Sequence, residues 1–283
     1  MLARMEFGIS TQFHRKQLVT VDLLESLRKA GYQRIELFCN RPHLNYHDRN
    51  LLRAIGRWFD ENELPAPSIH LPFLEDTGTQ RRWISPLDSE RRHRESAIDE
   101  IKRCLELADR IQPEYVVIHL GNPAEAFNPL MFEYAYSAIF QIRHFSGVNV
   151  MVENIPNEIS TIERIQEFRR ASDFLEIGIC YDSGHGHLQG MTEELDFVGA
   201  THIHDNHGDR DDHLWPFEGK IDWPAFIEKL VVAKYPGHFV FEARGSDLSK
   251  GNEVRSRLRD LWDEANYSLE EYRIKYKVRN ENG

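Results

Sequence analysis

Cysteine is scarce in this chain: three residues, Cys39, Cys104 and Cys180, among 283. They are far apart and form no Cys-x-x-Cys pair, which argues against a disulfide framework or a thiolate zinc site and sets the expectation of reduced thiols in the cytoplasm. Long hydrophobic runs are missing as well. No stretch approaches the roughly 20 apolar residues of a membrane span. The opening MLARMEFGIS lacks the apolar region and cleavage signal of a secretory leader, in keeping with the cytoplasmic expectation. Positive charge is in deficit, with 35 Lys and Arg against 46 Asp and Glu and a net charge of −11. That balance weighs against a broad nucleic-acid footprint, which needs a basic surface, but leaves room for a local basic groove. No linker, low-complexity run or composition break divides the chain. Residues 1–283 are therefore expected to form one domain, with a polar tail at about 270–283 that would fray.

What is present is a regular alternation. A hydrophobic content of 41% is enough for a substantial core. Apolar runs at Met5–Ser10, Gln33–Cys39, Pro67–Leu71, Tyr115–Leu120, Val148–Asn154, Leu175–Cys180, Ala200–Asn206 and His238–Arg244 read as eight strands. Between them lie helical patterns at Val21–Ala30, Asn50–Asn62, about Ser89–Arg110, Met131–Phe145, Ile159–Arg170 and Asp222–Lys234, and another follows at about Glu253–Tyr267. Strand–helix alternation of this length predicts a single (β/α)8 TIM barrel. A doubly wound sheet would carry a Gly-rich phosphate turn after its first strand, and STQFHR stands there instead.

The 14 histidines are not scattered evenly. The third to eighth expected strands end in His70, His119, Glu153, Asp182 with His185, His204 and Glu242, and Arg210-Asp211-Asp212-His213 lies just past the seventh. All strand C-termini of a parallel barrel open on one face, so these groups are predicted to converge there. The Asp182-Ser183-Gly184-His185 turn on its own could equally cap the next segment. Clustered carboxylates repel unless compensated, and carboxylates mixed with imidazoles suit a divalent ion such as Zn²⁺ or Mn²⁺. His202 and His204 share strand parity and are both expected to point inward, with His204 nearer the mouth as the ligand and His202 as an interior partner. Trp83, Trp215 and Phe217 are candidates to wall the mouth, and His187 and His207 to support it from loops.

These strand-end residues resemble those of the xylose-isomerase-like barrels, which include sugar and sugar-phosphate isomerases and epimerases and the endonuclease IV type of abasic-site endonuclease. The resemblance spans nearly the whole chain, with its specific motifs between Ser68 and Arg244. For the epimerase branch it implies one metal held by Glu153, Asp182, His204 and Glu242, with His185 contacting substrate. For the endonuclease branch it implies three zinc ions on His70, His119, Glu153, Asp182, His185, His204, Asp211, His213 and Glu242. That branch normally has Thr after the aspartate, Arg between the later Asp and His, and Thr after the final Glu. Here those places hold Ser183, Asp212 and Ala243. The segment HIHDNHGDRDDHLWPFEGKIDW is more similar to sugar-phosphate isomerase/epimerase-like proteins.

The expected activity is therefore a divalent-metal-dependent isomerase or epimerase of a sugar, polyol or sugar phosphate, working by proton transfer through a metal-stabilised enediolate. Glu153 and Glu242 would be ligands and acid/base groups, and His185 and Arg210 would orient the substrate. Mn²⁺ or Zn²⁺ is expected, with Mg²⁺ or Co²⁺ as alternatives and the count, one or three, left open. The second class is a zinc-dependent abasic-site endonuclease, and a third is a lyase or dehydratase on the same barrel. The expected partner is a small sugar or sugar phosphate rather than nucleic acid or membrane, and a homo-oligomer is left open.

Overall fold

The computed structural model describes residues 5–64, 68–76, 78–123, 125–172, 177–191, 195, 197–236, 238–245 and 247–281. Eight strands close a parallel barrel: β1 (Glu6–Ser10), β2 (Arg34–Phe38), β3 (Ser68–His70), β6 (Tyr115–His119), β7 (Asn149–Glu153), β8 (Gly178–Asp182), β9 (Val198–Ile203) and β10 (His238–Phe241). The remaining two strands, β4 (Leu74–Asp76) and β5 (Arg81–Trp83), form an antiparallel hairpin. They occupy what the sequence reads as a loop around Trp83, because three-residue strands are too short for a periodic signal.

Helices α1 (Val21–Lys29), α2 (Arg49–Glu61), α3 (Arg91–Leu105), α4 (Ala108–Ile111), α5 (Leu130–Ser146), α6 (Ile162–Ala171), α7 (Ser183–Gln189), α8 (Trp223–Val232) and α9 (Lys250–Glu281) follow the chain. Thr20 caps α1 through Leu23 N, and Leu23, Leu24 and Leu27 turn its apolar face to the barrel. Asp222 caps α8 through Ala225 N, with Pro224 in the first turn as that motif demands. Two expectations shift. The helix expected at Ser89–Arg110 is broken into α3 and α4. The backbone of α9 stays helical to Glu281, where a fraying tail is expected. Residues 175 and 176, the expected start of the sixth barrel strand, lie outside the described residues.

The barrel lumen is built in layers, and those layers place the site. Its apolar layer is Tyr115, Val117, Cys180 and Ala200, with Met151 packed against them. Met151 fits because Gly178 presents no side chain: a Cβ there would lie 2.0 Å from its sulfur. Side chains alternate faces along a strand, so the next inward residues are two positions on. Val117 is followed by His119, Met151 by Glu153, Cys180 by Asp182 and Ala200 by His202. The apolar plug therefore gives way to an ionisable layer within one step along each strand.

Candidate metal centre at the barrel mouth

Four side chains form the inner layer. Glu153, Asp182, His202 and Glu242 each offer a ligand atom, all within 4.8 Å of one another. One oxygen or nitrogen from each (Glu153 Oε1, Asp182 Oδ2, His202 Nδ1 and Glu242 Oε1) is buried without a hydrogen-bond partner among the described residues. A single buried orphan costs about 1–3 kcal/mol. Four converging on one point, three of them carboxylate oxygens, fit a divalent cation that would satisfy them together.

The surroundings aim these donors. His202 Nε2 lies 3.1 Å from Glu36 Oε2, and Glu36 also accepts from Ser68 Oγ. With the Nε2 proton spent on Glu36, the Nδ1 lone pair faces Glu153 and Glu242, at 3.3 and 3.5 Å. Gln12 Nε2 donates to Glu242 Oε2 at 2.7 Å, which orients that carboxylate and leaves Oε1 for the centre. Asp182 caps α7 by accepting His185 N at 2.7 Å through Oδ1, leaving Oδ2 free. The capping role and the ligand role thus belong to different oxygens of one residue.

Two further groups flank this layer. His70 Nε2 and His119 Nε2 approach Glu153 Oε2 at 3.1 and 3.0 Å. On the other side, His185, His204, Asp211 and His213 bring ligand atoms within 4.8 Å of one another. Three of these imidazoles follow one rule: Nδ1–H of His70, His185 and His213 donates to the carbonyls of Leu71, Asn154 and Glu242 at 3.0, 2.9 and 2.7 Å. That selects the tautomer whose Nε2 lone pair points into the mouth, the form in which histidine binds metal. Asp211 and His213 reach the site because the chain past β9 folds back through an antiparallel bridge between Asp205 and Leu214.

The grouping expected from the motif shifts by one histidine. Asp182 pairs with His202 in the β8–β9 register, so His202 completes the set of Glu153, Asp182 and Glu242. His204 sits one step higher, 3.0 Å from Asp182 Oδ1 and 3.7 Å from Asp211 Oδ1. Parity alone cannot choose between them; register does. Arg210 is also placed differently from the expectation. Its side chain is 77% exposed and pairs with Asp212 on the surface, while Arg244, just past β10, lines the cavity instead. Trp83 reaches the cavity wall. Trp215 is only 3% exposed and packs on Phe13 and Phe241, and Phe217 packs on Trp223, so neither walls the mouth. His187 bonds Asn206 Oδ1 at 2.8 Å, a supporting role. Sequence reasoning misses Glu36, Gln12 and Arg244. A carboxylate in the middle of an apolar strand, as in RIELF, is the signal that points to Glu36.

Electrostatics separates the two glutamates. Burial alone would raise the Glu153 carboxyl, but the imidazoles of His119 and His202 hold it well below the usual range. Burial pushes the Glu242 carboxyl up to about 7; His202 opposes this incompletely and the Glu153 charge adds to it. His213 is lowered to about 3 by burial and by His204 beside it. His185 is raised well above the ordinary value despite burial, by Asp182, Asp211 and Glu153. His202 is likewise raised against burial by the anionic groups around it.

A pH dependence follows. A raised imidazole stabilises the metal-free fold below its unfolded pKa, about 6.5, and that stabilisation is lost as pH rises through the folded value. The Glu242 carboxyl, raised to about 7, acts in the same direction up to that pH. Metal-free protein should therefore melt at a lower temperature at pH 8.5 than at pH 7, and zinc should restore more stability at the higher pH. Metal binding should also release protons, read as a buffer-dependent heat in titration calorimetry. Equal zinc-induced shifts at both pH values would show that these imidazoles hold no ion.

His70, His119, Glu153, His185, Asp211, His213 and Glu242 line a cavity of about 570 Å³ whose wall also carries Arg15, Lys16, Arg41, Arg81 and Arg244. Among known families, the one described as xylose isomerase-like TIM barrel matches residues 24–265. The chain belongs to that family. Among relatives of this xylose isomerase-like barrel, y4fM of Sinorhizobium fredii is 30% identical over 191 residues, 61% of this chain and 59% of that protein. MJ1311 of Methanocaldococcus jannaschii is 25% identical over 92% of this chain and 91% of its own. A probable endonuclease 4 of Natronomonas pharaonis is 24% identical over 78% and 82%. Solved structures share the fold: a D-tagatose 3-epimerase-like protein superposes with a TM-score of 0.75 at 23% identity, covering 92% of this chain and 99% of that one. The IOLI protein, whose structure holds a zinc atom, superposes at 0.71 with 16% identity, covering 93% and 99%.

Proposed function

We propose that this barrel is a divalent-metal-dependent isomerase or epimerase of a small sugar or sugar phosphate. The observation that carries the proposal is the pair Glu153 and Glu242: two buried carboxylates on the wall of a 570 Å³ cavity, each with Oε1 unpartnered among the described residues. Two facing carboxylates can take a proton from a substrate carbon and return one to it. A cavity of this volume is in the range that encloses a small ligand. Similarity to a D-tagatose 3-epimerase-like protein and to an L-ribulose 3-epimerase (TM-score 0.74, 16% identity) supports sugar chemistry.

Glu153, Asp182, His202 and Glu242 would hold the ion, and this oxygen-rich set with one imidazole suits Mn²⁺ or Zn²⁺. When bound, the ion supplies Lewis-acid polarisation of the substrate carbonyl and its neighbouring hydroxyl. Glu242 would move the proton at the carbon beside that carbonyl, and Gln12, donating to Oε2, fixes the orientation of the carboxylate. Glu153, kept ionised by His119 and His202, faces it as the complementary acid/base group. His185 contributes Nε2 toward substrate hydroxyls. Phe73, stacked on His119 with ring centroids 4.2 Å apart, and Trp83 limit water at the mouth.

The rim favours an anionic substrate. Arg15 and Lys16 form no ion pair among the described residues, and the Arg244 Nε is buried without a partner. Arg244→Met keeps the apolar stem but removes the charge. It should lower kcat/KM for a phosphorylated substrate about 10- to 100-fold, the value of a lost charge-assisted hydrogen bond, while changing turnover of the unphosphorylated sugar little. An equal loss on both would remove the phosphate assignment.

The proposal is tested with Mn²⁺- or Zn²⁺-loaded protein on a panel of ketoses and their phosphates, reading solvent-deuterium incorporation at the carbon beside the carbonyl. Incorporation with none of them would sink it. A phosphodiesterase reading has one specific observation behind it: the donors form four overlapping groups and not one, and a probable endonuclease 4 is among the relatives. Incision of an abasic-site duplex by the zinc-loaded protein, at a rate above any sugar turnover, would put that reading first.

A further inference from the structure

We propose that two copies of this chain form an isologous dimer through the solvent face of α5, the two helices crossing antiparallel about a twofold axis level with Ala138 and Ile139. The surface lies outside the metal centre, so the proposal stands whichever reaction the mouth performs.

α5 departs from the pattern of the other outer helices. A helix that packs on a core by one face ordinarily turns charged groups to water on the other. α3 does so with the exposed pair Arg91 and Glu95, and α6 with Arg164 and Glu167. α5 buries Met131, Ala135, Ala138, Ile139 and Ile142 against the core. Yet Leu130, Tyr136, Phe140 and Phe145 on the same helix are 54%, 43%, 53% and 49% exposed. Tyr136, Phe140 and His144, four residues apart, also stack in a row, with centroids 6.4 and 6.1 Å apart and interplanar angles of 12° and 1°. An ordered row of large rings left in water marks a face made for contact.

The face is complementary to itself, and that selects the occupant. Glu133, Ser137, Phe140 and His144 follow at spacings of four, three and four, so they form one stripe. An antiparallel crossing about the axis sets Phe140 opposite Ser137 of the second copy, and Glu133 opposite its His144. Phe140 projects, whereas Ser137 is small and edges a groove of about 490 Å³ between α3 and α5, with Ile98 and Ala138 in its lining. Each ring thus meets the groove of the other copy: one patch carries both knob and hole, as an isologous contact requires. Charge agrees with the same register. Glu133 is the acidic residue of the first turn, and Arg143 and His144 are the basic residues of the last. Antiparallel crossing brings acidic end to basic end and opposes the helix dipoles, whereas parallel crossing would bring like to like. A chain of net charge −11 repels its copy elsewhere, so a face with this match is where two copies can meet. Reversing α5 reverses the barrel it belongs to, so the two mouths open in opposite directions and neither copy closes the other's cavity. One helix face and one groove make a small interface, under about 1,200 Å² in total, and association should depend on concentration.

The test measures mass in solution. Sedimentation and light scattering over a dilution series should show wild type passing from one chain to twice the chain mass in the micromolar range. Phe140→Asp should weaken association at least ~30-fold, the loss of a buried aromatic anchor, while circular dichroism and the melting temperature stay near wild type because the ring lies outside the core. Glu133→Lys and His144→Glu should each weaken the dimer, and the two together should restore it, a reciprocity that antiparallel self-pairing gives. A wild type that stays monomeric at millimolar concentration overturns the proposal, whether the face then takes another protein or a lipid surface. So does a dimer that Phe140→Asp leaves intact, or a charge-swapped pair no better than its single variants. Should the charge variants fail to fold, Ser137→Cys decides, because the chain's own thiols are buried. Treated with a short bis-maleimide, that variant should cross-link in pairs; a product of single-chain mass overturns the proposal.

Discussion

Glu242→Gln should lower kcat by about 100-fold or more, the contribution of a positioned general base, equivalent to about 2.7 kcal/mol in the barrier. Glutamine keeps the size and one oxygen, and Gln12 Nε2 can still donate to that oxygen as it does to Glu242 Oε2 at 2.7 Å. The metal-free fold should therefore survive, and should even gain stability, because a carboxyl pushed up to about 7 by burial is destabilising once it ionises. Activity and stability move in opposite directions, a pattern that general damage to the barrel does not produce. Glu153→Gln should lower turnover as well, and the double variant should lose less than the product of the two, since both act at one reaction centre. The measurement is turnover and solvent-deuterium exchange on the substrate found by the panel, with thermal melts of the metal-free proteins alongside. If Glu242→Gln retains exchange and turnover within a few-fold, Glu242 is not the proton-transfer group.

Asp205→Ala should have the largest effect on stability, about 3–5 kcal/mol, as expected when a buried carboxylate network loses its acceptor. Asp205 is fully buried and accepts from Asn206 N, Phe217 N, Ile221 N and Trp223 Nε1 at 2.8, 3.0, 3.1 and 2.9 Å. No other side chain holds the start of α8 to the end of β9 in this way among the described residues. Its backbone also bridges Leu214, with both N···O distances 2.9 Å, and that bridge returns Asp211 and His213 to the mouth. Thermal or urea unfolding should show the loss. A variant that melts within about 1 kcal/mol of wild type would mean that the segment 205–223 is held by packing alone.

Much of this architecture is legible in the amino-acid sequence alone. The barrel follows from the alternation of apolar strands and amphipathic helices, because period-2 and period-3.6 patterns are local properties of the chain. That Glu153, Asp182, His185 and Glu242 meet also follows, since every strand of a parallel barrel ends on the same face. Tertiary structure decides the rest. His202 and not His204 joins the inner carboxylates because register across β8 and β9 sets depth in the lumen, and register is a relation between strands that neither strand encodes alone. Arg244 and not Arg210 reaches the cavity because the 207–214 loop folds back through the Asp205–Leu214 bridge and turns Arg210 outward. Glu36 and Gln12 are parts of the site by contact only: one is a lone acid in an apolar strand, the other an ordinary loop glutamine. Their roles arise from distances of 3.1 Å to His202 and 2.7 Å to Glu242, across 166 and 230 positions of chain. Residue type and periodicity thus determine which groups arrive at the mouth, whereas their pairing and their protonation depend on through-space distances and burial that exist only once the barrel has closed.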